Sequence, residues 1–347
     1  MLTDDISEFQ RRSSKLTVAV LPDFYIDVMI NPHRTFKDLK KQLQEVYARG
    51  GGNIIGTEVK FVPGGNGGNV AKTLAALGVE TTFLAQTSEF GIKVLEYFMH
   101  PLGINLEVTS TGSIASSVIF ELASGAYDKS NIMLSSAGSV ASFSSSSLTE
   151  EQWNALRKSG VIAITNAQNL ELENLTEGIL QNTPKEIIVS LDFSDLTPHL
   201  SRIDGFRERL LGHPIRPPNL VLGNENEFRL LAKLPKASIT ETGQALSSDF
   251  PEIFFALHTA TQVYLWHRTH LLATQQCHLV TLQNATGAGD AWHAGFLVGW
   301  QVGLSYKDAM AFANAVAGYQ LSEGKIGNAA DILRFMKDTP LQETNHK

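Results

Sequence analysis

NATGAGDAWHAGF, residues 284–296, sets a carboxylate directly after a turn of small residues and directly before a run of helical composition. The usual glycine-loop templates fail on it. A dinucleotide fingerprint needs a third glycine at position 292, which is Trp292. A Walker loop needs Gly-Lys followed by Ser or Thr, yet the only Gly-Lys pair, Gly324 and Lys325, precedes Ile326. What remains is Gly287-Ala288-Gly289 leading into a helix whose Ala291, Ala294, Gly295 and Val298 form a small, close-packing face. Unpaired N–H groups at a helix N-terminus, reinforced by the macrodipole, bind an anion without a cationic side chain. Asp290 then has two readings. One is a helix-dipole carboxylate worth under about 1 kcal/mol. The other is a general base that takes a proton from an alcohol as its oxygen attacks a phosphoryl group held by the neighbouring amides.

Working outward, the chain alternates strand and helix signals. Residues 16–21 form an apolar run that breaks at Pro22, where a first strand should end. DLKKQLQEVYARGGG reads as an amphipathic excursion, and in NIIGTEVKFVP the alternation of Ile55, Thr57, Val59 and Phe61 predicts a strand with one covered face. In GGNGGNVAKTLAALG, Val70, Leu74 and Leu77 recur at helical spacing, with Gly78 placed for a left-handed C-cap. GSIASSVIFELASG and SNIMLSSAG predict a hairpin. From Thr149, which forms a capping-box start with Gln152, strand-helix units return through VIAIT, EIIVSLDFSD and NLVLGNENEFRLLAK. SFSSSSL at 142–148 reads as a surface connection. Repeated strand-then-helix order predicts a parallel sheet with helices on both faces.

The 347 residues are 43% hydrophobic with a formal net charge of −7, enough for a large core and without a bulk positive field to attract nucleic acid or anionic lipid. The beginning MLTDDISEFQRRSSK lacks the apolar stretch of a signal peptide, and no segment approaches roughly 18 uninterrupted apolar residues. A cytoplasmic protein with a small-molecule partner is expected. The single cysteine, Cys277, excludes an intramolecular disulfide and reads as an inert, partly buried thiol.

Two motifs more than 200 residues apart carry a resemblance. NATGAGDAWHAGF resembles the C-terminal signature D-T-x-G-A-G-D-x-F-x-x-G-F of the ribokinase-like (PfkB) carbohydrate and nucleoside kinases. GGNGGNVAKTLAALGVETTFLAQTSEFG resembles their N-terminal signature, G-G-x-x-x-N-x-A…L-G…G-x-D-x-x-G, with Gln86 and Glu89 in place of commoner residues. The similarity spans roughly residues 16–335.

The resemblance implies a three-layer α/β/α sandwich with a mostly parallel sheet and a small β lid. It places the core in 1–31, 64–109 and 138–347, and the lid in 32–63 and 110–137. It further implies that Gly287, Ala288 and Gly289 face the transferring phosphoryl group, with Asp290 as base and Thr286 beside the nucleotide. Gly64, Gly65, Asn66 and Asn69 would meet the acceptor, and Asp27, with Asp23 as its rival, would chelate two acceptor hydroxyls. Asn224 and Glu227 of GNENEF would orient Mg²⁺ through water, the plain alternative being a helix cap by Asn224; Asn314 would contact the nucleotide.

Departures bear on the donor. Asn284 and Ala285 replace the usual D-T, so a monovalent-cation requirement is not carried over. The segment that normally holds a glycine-rich nucleotide loop reads FFALHTATQVYLW, so a donor other than ATP stays open. His267 and His270 are expected on opposite faces of one strand, and His293 as a packed or solvent-edge side chain. The implied activity is phosphoryl transfer from Mg·ATP to a hydroxyl of a sugar or nucleoside. A silent binding protein on the same scaffold and a kinase of a vitamin-like hydroxymethyl heterocycle are the alternatives. Pairing of exposed lid edges predicts a homodimer.

Overall fold

The computed structural model describes residues 5–122, 130–167, 172–281, 283 and 287–342. In chain order the strands are β1 (Thr17–Leu21), β2 (Tyr25–Asn31), β3 (Glu58–Gly64), β4 (Glu80–Thr87), β5 (Asn105–Ser110), β6 (Ala115–Leu122) and β7 (Ser130–Ser136). They continue with β8 (Val161–Ile164), β9 (Ile188–Asp192), β10 (Leu220–Asn224), β11 (Phe254–His258), β12 (Gln262–His267) and β13 (His270–Gln276). Nine of them form one sheet in the order β13-β12-β11-β10-β9-β8-β1-β4-β5, and the other four a small sheet in the order β3-β2-β6-β7. The large sheet is parallel from β5 to β11 and antiparallel at β12 and β13.

Burial on both faces explains the continuous apolar strands. Val18 and Val20 of β1 enter one core cluster while Ala19 and Leu21 enter the other, and Val161 and Ala163 part from Ile162 and Ile164 in the same way. Helices cover both faces, giving the three-layer α/β/α arrangement. Their starts are set by local chemistry: Thr149 accepts from the Gln152 N–H, Ser88 from Gly91, and Ser305 from Asp308. No helix among the described residues is long and apolar enough to cross a membrane.

β1 ends at Leu21, just before Pro22, as the sequence predicts. The following strand differs from the expected division, which assigned 1–31 to the core: Tyr25–Asn31 pairs with β3 and β6 in the small sheet. YIDVMIN lacks the continuous apolar run of a strand covered on both faces, and only its Asp27 is buried. The expected hairpin is β6 with β7. The alternation before Gly64 does not mark a covered face, since Val59 and Phe61 are 51% and 68% exposed. His267 and His270 do not share a strand; they oppose each other across a hairpin whose turn residues, Arg268 and Thr269, both have positive φ. The serine run forms two short 3₁₀ turns around a fully buried Phe143.

The helices Ala288–Gln301 and Tyr306–Glu323 cross closely at Gly295, where an added Cβ would lie 2.9 Å from Ala313 Cα and 2.9 Å from Val316 Cγ2. Gly295→Ala should therefore cost about 1–3 kcal/mol in urea unfolding through overpacking. Gly160→Ala, where the first contacts are at 3.7 Å, should stay within about 0.5 kcal/mol.

Candidate active site

The carboxyl ends of β1, β8, β9, β10 and β11 contribute Asp23, Asn166, Asp192, Asn224 and His258 to a single cavity of roughly 530 Å³. Open parallel sheets place ligands at such ends because chain direction and helix N-termini converge there. The small sheet closes the cavity with Tyr25, Asp27, Ser117, Met133 and Ser135. Two helix starts complete it: Gly65, Asn66 and Asn69 on one side, and Gly287, Ala288, Gly289 and Asp290 on the other.

Asp290 is the third residue of the helix Ala288–Gln301 and is only 6% exposed. Its partner is an amide: Asn69 Nδ2 donates to Oδ2 at 2.9 Å. Burial pushes the Asp290 carboxyl well above the usual aspartate range, with Asp192 and Asp23 adding to the rise. Gly287 caps this helix with left-handed backbone, φ 78°, and as a glycine it offers the first amides no side-chain cap. Side chains cap the helices beginning at Phe36, Glu89, Glu150, Glu225, Ile239, Tyr306 and Ala329. The start at Ala288 thus presents amides to the cavity without a side-chain cap, as anion binding requires.

The opposite helix start is different. Gly65, at φ 85°, lets the chain pass close to Asp23 and Phe24. The Asn66 and Gly67 amides donate to the Asp23 carboxylate at 2.7 and 3.0 Å, and Thr165 Oγ1 and Asn166 Nδ2 donate to it as well. Asp23 is therefore an anchor with its acceptor capacity taken. Asp27 faces the cavity with Ser117 as its hydrogen-bond partner, and burial raises its carboxyl above the ordinary range. Gly64 is not on the wall of this cavity. It lies behind Asp27, whose Oδ2 would be 1.9 Å from a Cβ at that position.

Asn224 and Glu227 both reach the cavity but are joined in a capping box. Asn224 Oδ1 accepts from the Asn226 and Glu227 N–H groups at 2.9 and 3.0 Å, and Glu227 Oε2 accepts from the Asn224 N–H at 2.9 Å. The plain helix-cap reading is therefore realised, with the pair still bordering the cavity. Burial and the neighbouring Asp192 raise the Glu227 carboxyl. The oxygen-only donors Asn224, Glu227, Asp192 and Asp195 match magnesium chemistry. Among the described residues no group of three His, Cys, Asp or Glu side chains is arranged to hold a metal directly. The lining thus fits a hydrated cation and not one caged directly by side chains.

A second cavity of roughly 510 Å³ shares His258, Ala288 and Gly289 with the first, and has apolar walls including Val263, Val280, Trp292 and Leu321. Asn314 borders it, but its oxygen accepts from Trp292 Nε1 and its nitrogen donates to the Gln276 carbonyl, both at 2.8 Å. Cys277 lies on the same wall with its thiol pushed up to about 11 by burial, so it is no nucleophile. His293 is fully buried and held down to about 3, so its 3.8 Å approach to Asp192 is not an ion pair. Thr286 lies outside the described residues, as do Asn284 and Ala285.

Residues 37–332 match the description "pfkB family carbohydrate kinase". The chain belongs to that family. No curated protein matches the sequence significantly. Among solved structures, Arabidopsis thaliana ribokinase complexed with ribose and ATP is similar with a TM-score of 0.71 at 15% identity, over 93% of this chain and 98% of that one. Adenosine kinase from Sinorhizobium meliloti has a TM-score of 0.68 at 16% identity, over 90% and 94%. Ribokinase from Cryptococcus neoformans var. grubii in complex with ADP has 0.67 at 18%, over 94% and 99%. The pfkB-family fold is thereby shared across nearly the whole chain.

Sequence reasoning passed over Asn166, Asp192, Ser194, Asp195 and His258, all on this cavity wall. For Asn166, Asp192, Ser194 and Asp195 the signal was position, at or just after the end of a predicted parallel strand; His258 ends β11, which was not expected as a strand from the sequence.

A buried acid whose folded pKa is raised stabilises the fold while protonated, and that contribution is lost as pH rises through the raised value. Asp290→Asn keeps an acceptor for Asn69 and never ionises. It should withstand more urea than wild type at about pH 8 and lose that advantage near pH 4; lower stability at the higher pH would contradict a desolvated carboxylate.

Proposed function

We propose that the chain transfers the terminal phosphoryl group of ATP to a hydroxyl of a sugar or nucleoside. What carries this reading is one juxtaposition: the buried Asp290, held by Asn69, stands beside the amides at 287–289 where the two cavities meet. The acceptor takes the cavity under the small sheet and the nucleotide base the apolar one, so the phosphoryl group crosses at Ala288 and Gly289.

Asp290 accepts the proton of the attacking hydroxyl, and burial, by raising its proton affinity, suits it to that task. As the acceptor oxygen bonds to phosphorus, the bond to the departing ADP oxygen breaks, and the helix amides stabilise the charge on the transferring group. Asn69 fixes the carboxylate, and Asp27 and Asn66 orient the acceptor hydroxyls. Bound Mg²⁺, held by the phosphates and through water by Asn224 and Glu227, would neutralise phosphate charge. Closure of the small sheet, taken as the lid, would exclude water from the reacting groups.

Asp290→Asn should lower kcat by about 10²- to 10⁴-fold with little change in KM, read as ADP release. Turnover close to wild type would remove the base from the mechanism.

We also propose that the lid pairs with a second copy of the chain. The support is the apolar face of the small sheet turned away from the cavity, where Val59, Phe61 and Leu134 are each more than half exposed. Light scattering should give a dimer that Phe61→Glu converts to monomer; a wild-type monomer would end this part of the proposal.

A further inference from the structure

The acceptor cavity is walled by Asp23, Asp27, Asp192, Asp195, Glu227 and Asp290, and no lysine or arginine lines it among the described residues. Its histidine, His258, is held down to about 4 by burial and is neutral at ordinary pH. Lys72 belongs to the neighbouring cavity behind Asp27, Gly64 and Asn69, where its Nζ donates to the Pro63 carbonyl at 3.1 Å.

The helix starts around the cavity are equally informative. Of the three that border it, one has its Asn66 and Gly67 amides bonded to Asp23, and another has its amides capped by Asn224. Among the described residues the start at Ala288 has no side-chain cap, and in the proposed reaction it faces the migrating phosphoryl group. Among the described residues, an acceptor with its own phosphate or carboxylate would find no guanidinium or ammonium on the cavity wall and no second uncapped helix start; the Lys72 ammonium behind the wall already acts on Asp27 and Asp290. Such an acceptor would instead bring its charge against Asp27 and Asp290, so that binding either adds like charge to a desolvated acidic wall or costs proton uptake by one of these carboxyls.

Resting on the kinase reading above, we infer that the acceptor carries no negative charge: it is an uncharged polyhydroxy sugar or nucleoside, and sugar phosphates and sugar acids are rejected. The remaining wall suits this choice. Tyr25, Asn66, Asn69, Ser117, Ser135 and Asn166 are neutral donors and acceptors matched to hydroxyl groups. Rejection by unpaired like charge is a specificity device that needs no steric block.

The test is calorimetric binding without nucleotide, on matched pairs: ribose and fructose against their phosphate esters, and glucose against gluconate. At least one neutral member should bind, and about 100-fold or more tighter than its anionic counterpart. Ser135→Arg and Met133→Lys each add a cation on the open lid strand, and either should narrow that ratio by about tenfold or more. Equal or tighter binding of the anionic members, or binding of none of the neutral ones, would overturn the inference. ADP release on the same pairs separates the two claims. Neutral binding without turnover would sink the kinase reading and leave charge selection standing, whereas efficient turnover of an anionic acceptor would do the reverse.

Discussion

A single hydrogen bond, from Asn69 Nδ2 to Asp290 Oδ2, joins two helices that start more than 200 residues apart in the chain. Both helices must begin at the carboxyl edge of the sheet for that bond to form. Asn66–Ala76 follows β3 and Ala288–Gln301 comes after β13, so neither position is set by its own segment. The bond leaves Asp290 buried and tied to a neutral partner. A buried carboxylate with an arginine partner would have a low pKa and little basicity; one with an amide partner retains its appetite for a proton.

The surrounding acids extend this logic. Asp23, Asp192 and Glu227 are each disfavoured as anions by burial, and neighbouring carboxylates add to the effect at Asp192 and Glu227. Such a cluster costs folding stability at neutral pH. The fold tolerates it because each member accepts hydrogen bonds from fixed donors: Asp23 from two amides and two side chains, Asp192 from the Ser194 amide, and Glu227 from Asn224. A divalent cation with its phosphates would relieve part of the repulsion, coupling nucleotide binding to the local proton balance.

Much of the architecture was legible because strands covered on both faces must be apolar throughout. β1, β8, β9 and β10 announced themselves in that way, and Thr149 with Gln152 marked a helix start. β12 and β13 were not separated, because their turn uses Arg268 and Thr269 at positive φ, where glycine or asparagine would have signalled a hairpin. Residues 25–31 were grouped with the core, whereas β2 lies in the small sheet: only pairing decides whether a short, half-apolar run joins one sheet or another.

The glycine turn, the acid that follows it and the early Gly-Gly…Asn element were determined by the sequence alone, since each is a local pattern that needs particular side chains or none. The surroundings of Gly64 were not, since only tertiary packing lays the Asp27 carboxylate against it. The charge of the cavity was also decided only there. Acids spread along the chain from Asp23 to Asp290 become one electrostatic object when parallel strands bring their ends together, and Coulomb interactions depend on that distance in space and not on separation in sequence.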